Sequence, residues 1–195
     1  MATSREILLI IVLIVLIAVL VKVFLSGSAA SAVAPNATAA SNFVSDDLHV
    51  KYPTADIGIV SVTPEYNSQG TQYYSVEARV TQDPQTPCPQ LSHIFYNYPE
   101  QNFVPQPTEV ITSNCSVCNE GICNIQFPEE AIIASHTFPG TQLIQSYLGE
   151  NPGAAPAVTE NGDDWLVQWS SAATNESYLV DVHSNGSILS VTATS

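Results

Sequence analysis

Basic side chains are nearly missing from this chain: among 195 residues there are two arginines, Arg5 and Arg79, and two lysines, Lys22 and Lys51. Nucleic acid is thereby excluded as a partner, because phosphate recognition draws its affinity from lysine and arginine. No repeat of fixed period is present, and no Gly-x-Ser-x-Gly elbow accompanies Ser135-His136. No other motif identifies a reaction or a ligand, so neither a catalytic residue nor a cofactor is assigned. Only one stretch is long and apolar, so a multi-span membrane protein is excluded as well.

That one stretch, Ile7 to Leu25, is almost entirely isoleucine, leucine and valine. As a helix it would span ~28 Å, about one hydrocarbon core. Its only charge, Lys22, lies one turn from the end, where a long side chain can reach the headgroups. Residues 1–25 therefore read as a transmembrane anchor, with the lipid bilayer as partner of residues 7–25. Arg5 and the amino terminus put the positive flank on the N-terminal side, which places the N-terminus in the cytoplasm and the rest of the chain outside. Ala30-Ser31-Ala32 offers an alternative, a signal peptide cleaved to leave Val33 as first residue. The apolar run exceeds the 7–15 residues usual for a signal peptide, which favours the anchor.

Residues 26–195 carry 17 acidic side chains against Lys51 and Arg79, a balance that keeps a surface soluble and favours cations or a salt-rich medium. Four Asn-x-Ser/Thr sequons, at Asn36, Asn114, Asn175 and Asn185, are candidate glycosylation sites on an exterior protein. From Ser26 to about Ser45 the sequence is small and polar, which predicts a flexible linker. The folded part then begins near Asp46 and is expected to form one extracytoplasmic domain, 46–195, with a possible subdivision near Pro128.

Period-two alternation predicts strands. Ile57, Ile59 and Ser61 oppose Gly58, Val60 and Val62; Tyr74, Val76, Ala78 and Val80 alternate with Ser75, Glu77 and Arg79; and Pro64 to Gly70 makes the turn of a first hairpin. Ile94, Tyr96 and Tyr98 continue the pattern up to Pro99. Near the C-terminus, Trp165, Val167 and Trp169 form one strand and Asn185-Gly186 centres a type I′ hairpin. That turn would pair Val182 with Leu189, Val180 with Val191, and Tyr178 with Ala193, giving three antiparallel strands. Helix is expected from Pro128 through His136, with proline at the first position and Glu129 and Glu130 at the positive end of the peptide dipoles. A second is expected from Thr141 to Leu148, with Leu143, Ile144, Tyr147 and Leu148 inward and Gly149 and Pro152 ending it. The fold class is α+β, antiparallel strands with short helices on one face.

The tail from Thr141 to Ser195 resembles the PepSY-type module of extracytoplasmic proteins, a helix followed by strands ending in a phrase similar to Tyr178-Leu-Val-Asp-Val-His-Ser-Asn-Gly-Ser-Ile-Leu-Ser-Val191. The resemblance covers about a quarter of the chain and rests on an Asp-x-x-x-Asn-Gly hairpin. It implies a non-catalytic module associated with inhibiting or regulating exported enzymes, and hence an envelope protein as partner. Residues 46–127 resemble no such family.

Cysteine carries the sharpest chemistry. Cys88, Cys115, Cys118 and Cys123 all follow the apolar run, and an even count in an oxidising compartment reads as two disulfides. Of three connectivities, Cys118 with Cys123 and Cys88 with Cys115 is favoured, since Asn119 to Ile122 can turn tightly. The longer bridge would contribute ~3 to 4 kcal/mol on the chain-entropy model. The alternative is a thiol-redox or metal centre at Cys115, Cys118 and Cys123. Cys115-Ser-Val-Cys118 has exchange spacing, but no helix start or lysine or arginine lies nearby to lower a thiol pKa. Zinc could recruit His93 or His136, yet the spacing is irregular, and no metal site is assigned.

The remaining candidates read structurally. Asp181-x-His183-x-Asn185-Gly186 echoes a calcium loop, but Thr192 stands where the bidentate glutamate belongs. Asn161-Gly-Asp-Asp164 is expected to be a turn. Glu129 and Glu130 are explained by the helix terminus, and His49, His93 and His183 stand singly.

Overall fold

The structure, a computed structural model, describes residues 36–100, 106–118 and 123–194, all within one compact unit, Pro35–Ser195. The apolar run 7–25, the cleavage motif at 30–32 and the first part of the expected linker lie outside the described residues. Among those described, no helix is long and apolar enough to cross a membrane.

The second part of the expected linker is a helix. Helix α1, Ala37–Lys51, buries Ala40, Val44 and Leu48, spaced four residues apart along one stripe. Asn36 caps it, its Oδ1 accepting from the Ala39 N–H at 2.8 Å, and Pro53 follows the C-terminal cap residue Tyr52. The composition misled because alanine, serine and threonine are compatible with a helix once a sheet supplies the apolar partner.

That sheet is β1 (Asp56–Tyr66), β2 (Gln72–Gln82), β3 (Gln90–Tyr98) and the two-residue β4 (Glu109–Val110), antiparallel and in chain order. Even-numbered residues of β2 and β3 face α1: Val76, Ala78 and Val80 are buried, with Ile94, Tyr96 and Tyr98 packed around them. In β1 the parity changes. Ile59 pairs with Ala78 and Ser61 with Glu77, so Val60 is an extra residue, a β-bulge. Ile57 and Ile59 face the helix before it and Val62 after it, while Val60 is 54% exposed.

Two helices lead into the second half. Helix α2, Pro128–Thr137, starts as expected, and Glu129 through His136 are all buried. The Glu130 carboxylate accepts the backbone N–H groups of Gln126 and Phe127 at 2.7 and 3.0 Å, satisfying donors ahead of the first turn. Helix α3, Gln142–Glu150, buries Ile144 and Tyr147 and partly buries Leu148. Leu143 is 49% exposed rather than inward, because it precedes the Ile144, Tyr147 and Leu148 stripe by one residue, about 100° around the helix. Gly149 continues the helix, which ends at Glu150.

A second antiparallel sheet follows, β5 (Ala155–Asn161), β6 (Asp164–Ser170), β7 (Ser177–His183) and β8 (Ile188–Thr194), again in chain order. The chain is therefore α+β with two sheets, where the sequence pattern suggested one. Residues Pro35–Ser195 form one compact unit that contains two hydrophobic cores. The unexpected β5 alternates weakly because it is an edge strand with only Pro156 buried. Asn161 and Asp164 pair across Gly162-Asp163, the expected turn, with Gly162 at φ 67° in the position a type II′ turn requires. The second core unites Val167, Trp169, Val180 and Val182 with Ile133, Ala134 and Ile144.

The last turn is not type I′. Gly186 has φ 85° but Asn185 is not left-handed, and the Gly186 N–H donates to the His183 carbonyl while the His183 N–H donates to that of Ser187. This is a three-residue loop closed by a left-handed glycine. Val180 pairs with Val191 and Tyr178 with Ala193 as expected, but a bulge then sets Val182 opposite Ile188. Leu189 is consequently 52% exposed.

Candidate functional site

Both disulfides form in the expected pairing, Cys88–Cys115 and Cys118–Cys123, and no cysteine is free. Cys115 and Cys118 thus belong to different bridges, and the Cys-x-x-Cys spacing does not make an exchange pair. Asn114 and Cys115 occupy the left-handed region at φ 53° and 57°, at the centre of a tight turn in which the Ser116 N–H donates to the Ser113 carbonyl. Two consecutive left-handed non-glycine residues cost roughly 1–2 kcal/mol each. The first bridge helps to hold them there.

Of the two histidines weighed as partners of the cysteines, His136 is the one the fold brings to that bridge. His136, on the last turn of α2, is 9% exposed and sets its Nε2 3.4 Å from Cys115 Sγ. Its Nδ1 lies 2.9 Å from the Ile132 carbonyl, which assigns the proton to Nδ1 and leaves the Nε2 lone pair facing the sulfur. Burial pushes the His136 pKa below its ordinary value, and the Ile132 hydrogen bond opposes the shift without cancelling it. Cys88, Cys115 and His136 present ligand atoms within 4.8 Å of one another. With the bridge closed, the sulfurs are not thiolates, and such a triad offers a cation little.

The second bridge supports the last hairpin. A Cβ at Gly186 would lie 2.6 Å from Cys123 Sγ, and the Ile125 N–H donates to the Ser184 carbonyl. Glycine is therefore required twice over, by backbone angle and by close approach.

Other sequence candidates resolve into structural roles. Ser135 donates its hydroxyl to the Ile132 carbonyl and accepts from Trp169 Nε1 at 3.0 Å, so it is not poised as a nucleophile. His49 bonds the Ser45 carbonyl on α1, and His183 Nδ1 receives the Asn185 N–H within the last turn. His93 is buried, with Nδ1 3.1 Å from Glu77. Asp181 has a buried Oδ1 without a hydrogen-bond partner, and burial with the nearby Asp164 carboxylate raises its pKa. Asn36, Asn114, Asn175 and Asn185 are all exposed. Asn36 caps α1, and Asn185 Oδ1 accepts from the Ser187 N–H and hydroxyl.

A cleft of about 320 Å³ lies where the two halves meet. Asp56 and Arg79 contribute from the first sheet, Glu129 and Ile132 from α2, and Ala157 and Val158 from β5. The exposed rim carries Asp56, 3.6 Å from the half-exposed Arg79. At the floor, Thr81 Oγ1 donates to Glu129 Oε1 at 2.6 Å, while Glu129 Oε2 has no hydrogen-bond partner. Sequence reading explained Glu129 by its helix terminus and treated Arg79 only as a strand residue. The available signal was Arg79 itself, one of two basic residues beyond the apolar run. Protein-family models, curated proteins and solved structures contain no match to the chain.

Proposed function

We propose that the chain is a membrane-anchored, outward-facing, non-catalytic domain that binds or regulates another component of the cell envelope. The observation that carries this reading is the pairing of all four cysteines in two bridges, which suits an oxidising compartment. The apolar run 7–25 supplies the tether, the acidic surface suits an exterior setting, and Asn36, Asn114, Asn175 and Asn185 are accessible acceptors for glycans. The PepSY-type resemblance of the tail supplies the regulatory part of the proposal. Three experiments test it. Protease added to intact cells should degrade the domain, freshly isolated protein should show no free thiol, and cross-linking in the native membrane should capture an envelope protein. Protection from protease or fully reduced cysteines would sink the proposal.

One contact favours a second reading, a thiol-redox or metal-binding protein: the 3.4 Å approach of His136 Nε2 to Cys115 Sγ. If the bridge opens in use, that lone pair can take the Cys115 proton and stabilise a thiolate. Joint replacement of Cys88 and Cys115 by serine separates the readings. A structural bridge predicts lower stability alone, whereas this reading predicts loss of thiol exchange or of zinc bound by the reduced wild-type protein.

A further inference from the structure

The last turn of α2 holds a base against one sulfur of the first bridge. His136 Nε2 lies 3.4 Å from Cys115 Sγ, and three contacts fix that residue. Its Nδ1–H donates to the Ile132 carbonyl at 2.9 Å, its ring meets Trp169 edge-on with centroids 5.7 Å apart, and its own carbonyl accepts from Gln145 Nε2 at 2.8 Å. Burial is the larger cause of its pKa shift and the Ile132 bond the smaller, with a net shift downward. The ring is therefore neutral near pH 7, and its lone pair is available to take a proton. Once protonated, it would lie in the last turn of α2, where the peptide dipoles favour a cation. Cys88 and Cys115 are partly exposed, whereas His136 is buried; partial exposure is what a reactive cysteine requires. The second bridge has a different setting, with Cys123 packed close against Gly186 in the last hairpin.

We propose that Cys88 and Cys115, when reduced, exchange with an accessible disulfide: Cys115 is the attacking thiol, His136 Nε2 its base, and Cys88 the resolving thiol. This exchange rests on the thiol-redox reading of the same bridge. Nε2 takes the Cys115 proton, and the thiolate attacks one sulfur of a partner disulfide R–S–S–R′. A bond forms between Cys115 Sγ and the R sulfur, the partner's S–S bond breaks, and R′S⁻ leaves with the proton held by His136. Cys88 then attacks Cys115 Sγ, which closes the bridge present in the structure, and RS⁻ leaves with the Cys88 proton. Two protein thiols are oxidised and the partner disulfide is reduced to two thiols, with two electrons and two protons passing between them. A dithiol donor must reduce the bridge before another round.

The test uses the full chain in detergent micelles, reduced with dithiothreitol and then freed of it under argon. Alkylation by iodoacetamide as a function of pH, followed for each cysteine by mass spectrometry, should give Cys115 an apparent pKa at least one unit below the ordinary thiol value of about 8.5. His136→Gln should return Cys115 to that value and leave the other three cysteines unchanged. Near pH 7 the same variant should slow reaction with oxidised glutathione about threefold, since the loss of thiolate is partly offset by higher nucleophilicity. In Cys88→Ser the glutathione should be trapped on Cys115, whereas wild type should re-form its bridge and release two glutathiones. Insulin provides a protein disulfide: faster reduction by dithiothreitol in the presence of wild type identifies a protein as partner, and reaction with glutathione alone identifies a small disulfide. Equal reactivity of the four cysteines, a Cys115 pKa that His136→Gln does not move, or reaction with neither disulfide would overturn the exchange. Zinc binding by the reduced wild type alongside any of those results would leave the metal-binding form of that reading standing, and absence of both would remove it.

Discussion

The two halves repeat one plan, with helix leading into a four-stranded antiparallel sheet whose strands lie in chain order, yet they are secured differently. In the first half, α1 lies on the sheet through a stripe of three small to medium side chains and is tied at its end by surface polar contacts. Lys51 reaches Asp47 at 2.7 Å and Tyr96 Oη also donates to Asp47. These contacts hold the Asp47 pKa down, chiefly through the hydrogen bond from Lys51, and raise that of Lys51. In the second half, α2 is buried along nearly its whole length, Trp169 fills the core and one bridge braces the final turn. Similar topology does not imply similar sources of stability. Exposed ion pairs contribute little, whereas burial of a tryptophan or closure of a loop contributes several kilocalories.

Deleting the deepest side chain of each half should expose this contrast most clearly. Trp169→Ala should cost about 3–5 kcal/mol, and Leu48→Ala in α1 less, near the lower end of about 2–5 kcal/mol. Urea midpoints of the two variants check the order, and an equal or reversed cost would show that α1 is no less important. Next in size, replacing Cys88 and Cys115 by serine should cost about 3.5 kcal/mol, against about 2 kcal/mol for Cys118 and Cys123, because the bridges span 27 and 5 residues. Thermal unfolding of the two double variants distinguishes loop length from local packing. Gly186→Ala should cost about 1–3 kcal/mol through its left-handed backbone and the Cys123 contact, read from the loss in melting temperature. A cost near zero would mean that the hairpin turn can shift away from the bridge.

The smallest effect is a pH dependence within the second half. Burial lowers the folded pKa of His136, so the unfolded chain binds this proton more readily. Its contribution to stability is intact above the unfolded value of about 6.5 and declines as pH falls toward the folded pKa, by no more than about 1.4 kcal/mol per unit. Glu130 and Asp181, both raised chiefly by burial, act with opposite sign: their stabilising contribution is present in acid and lost as pH rises through their folded values. The measurement is therefore the difference in urea midpoint between His136→Gln and wild type at pH 7 and pH 5. That difference should move in favour of the variant at the lower pH, and a constant difference would contradict the assignment.

Much of this fold was legible where one rule governs alone. Proline followed by two glutamates located the start of α2, and period-two alternation located β2, β3, β6 and β7. Even the cysteine pairing followed from a short loop that can turn. What escaped depended on tertiary context. The segment 37–45 becomes helix because the first sheet offers an apolar face, a partner that local composition does not reveal. The final hairpin differs by one residue because the loop closes on a single left-handed position instead of two. The cleft was hidden more deeply still, since Asp56 and Arg79 lie on the first sheet and Glu129 on α2, far along the chain.

The extra residue in β1 has a consequence for variation along this strand. Upstream of Val60 the odd positions look toward α1, and downstream the even ones do, so the rule for tolerated side chains inverts at that point. Removing Val60 would merge the two segments into an uninterrupted ladder and still leave Ile57, Ile59 and Val62 on their present side. The same deletion a few positions away would turn part of the strand inside out.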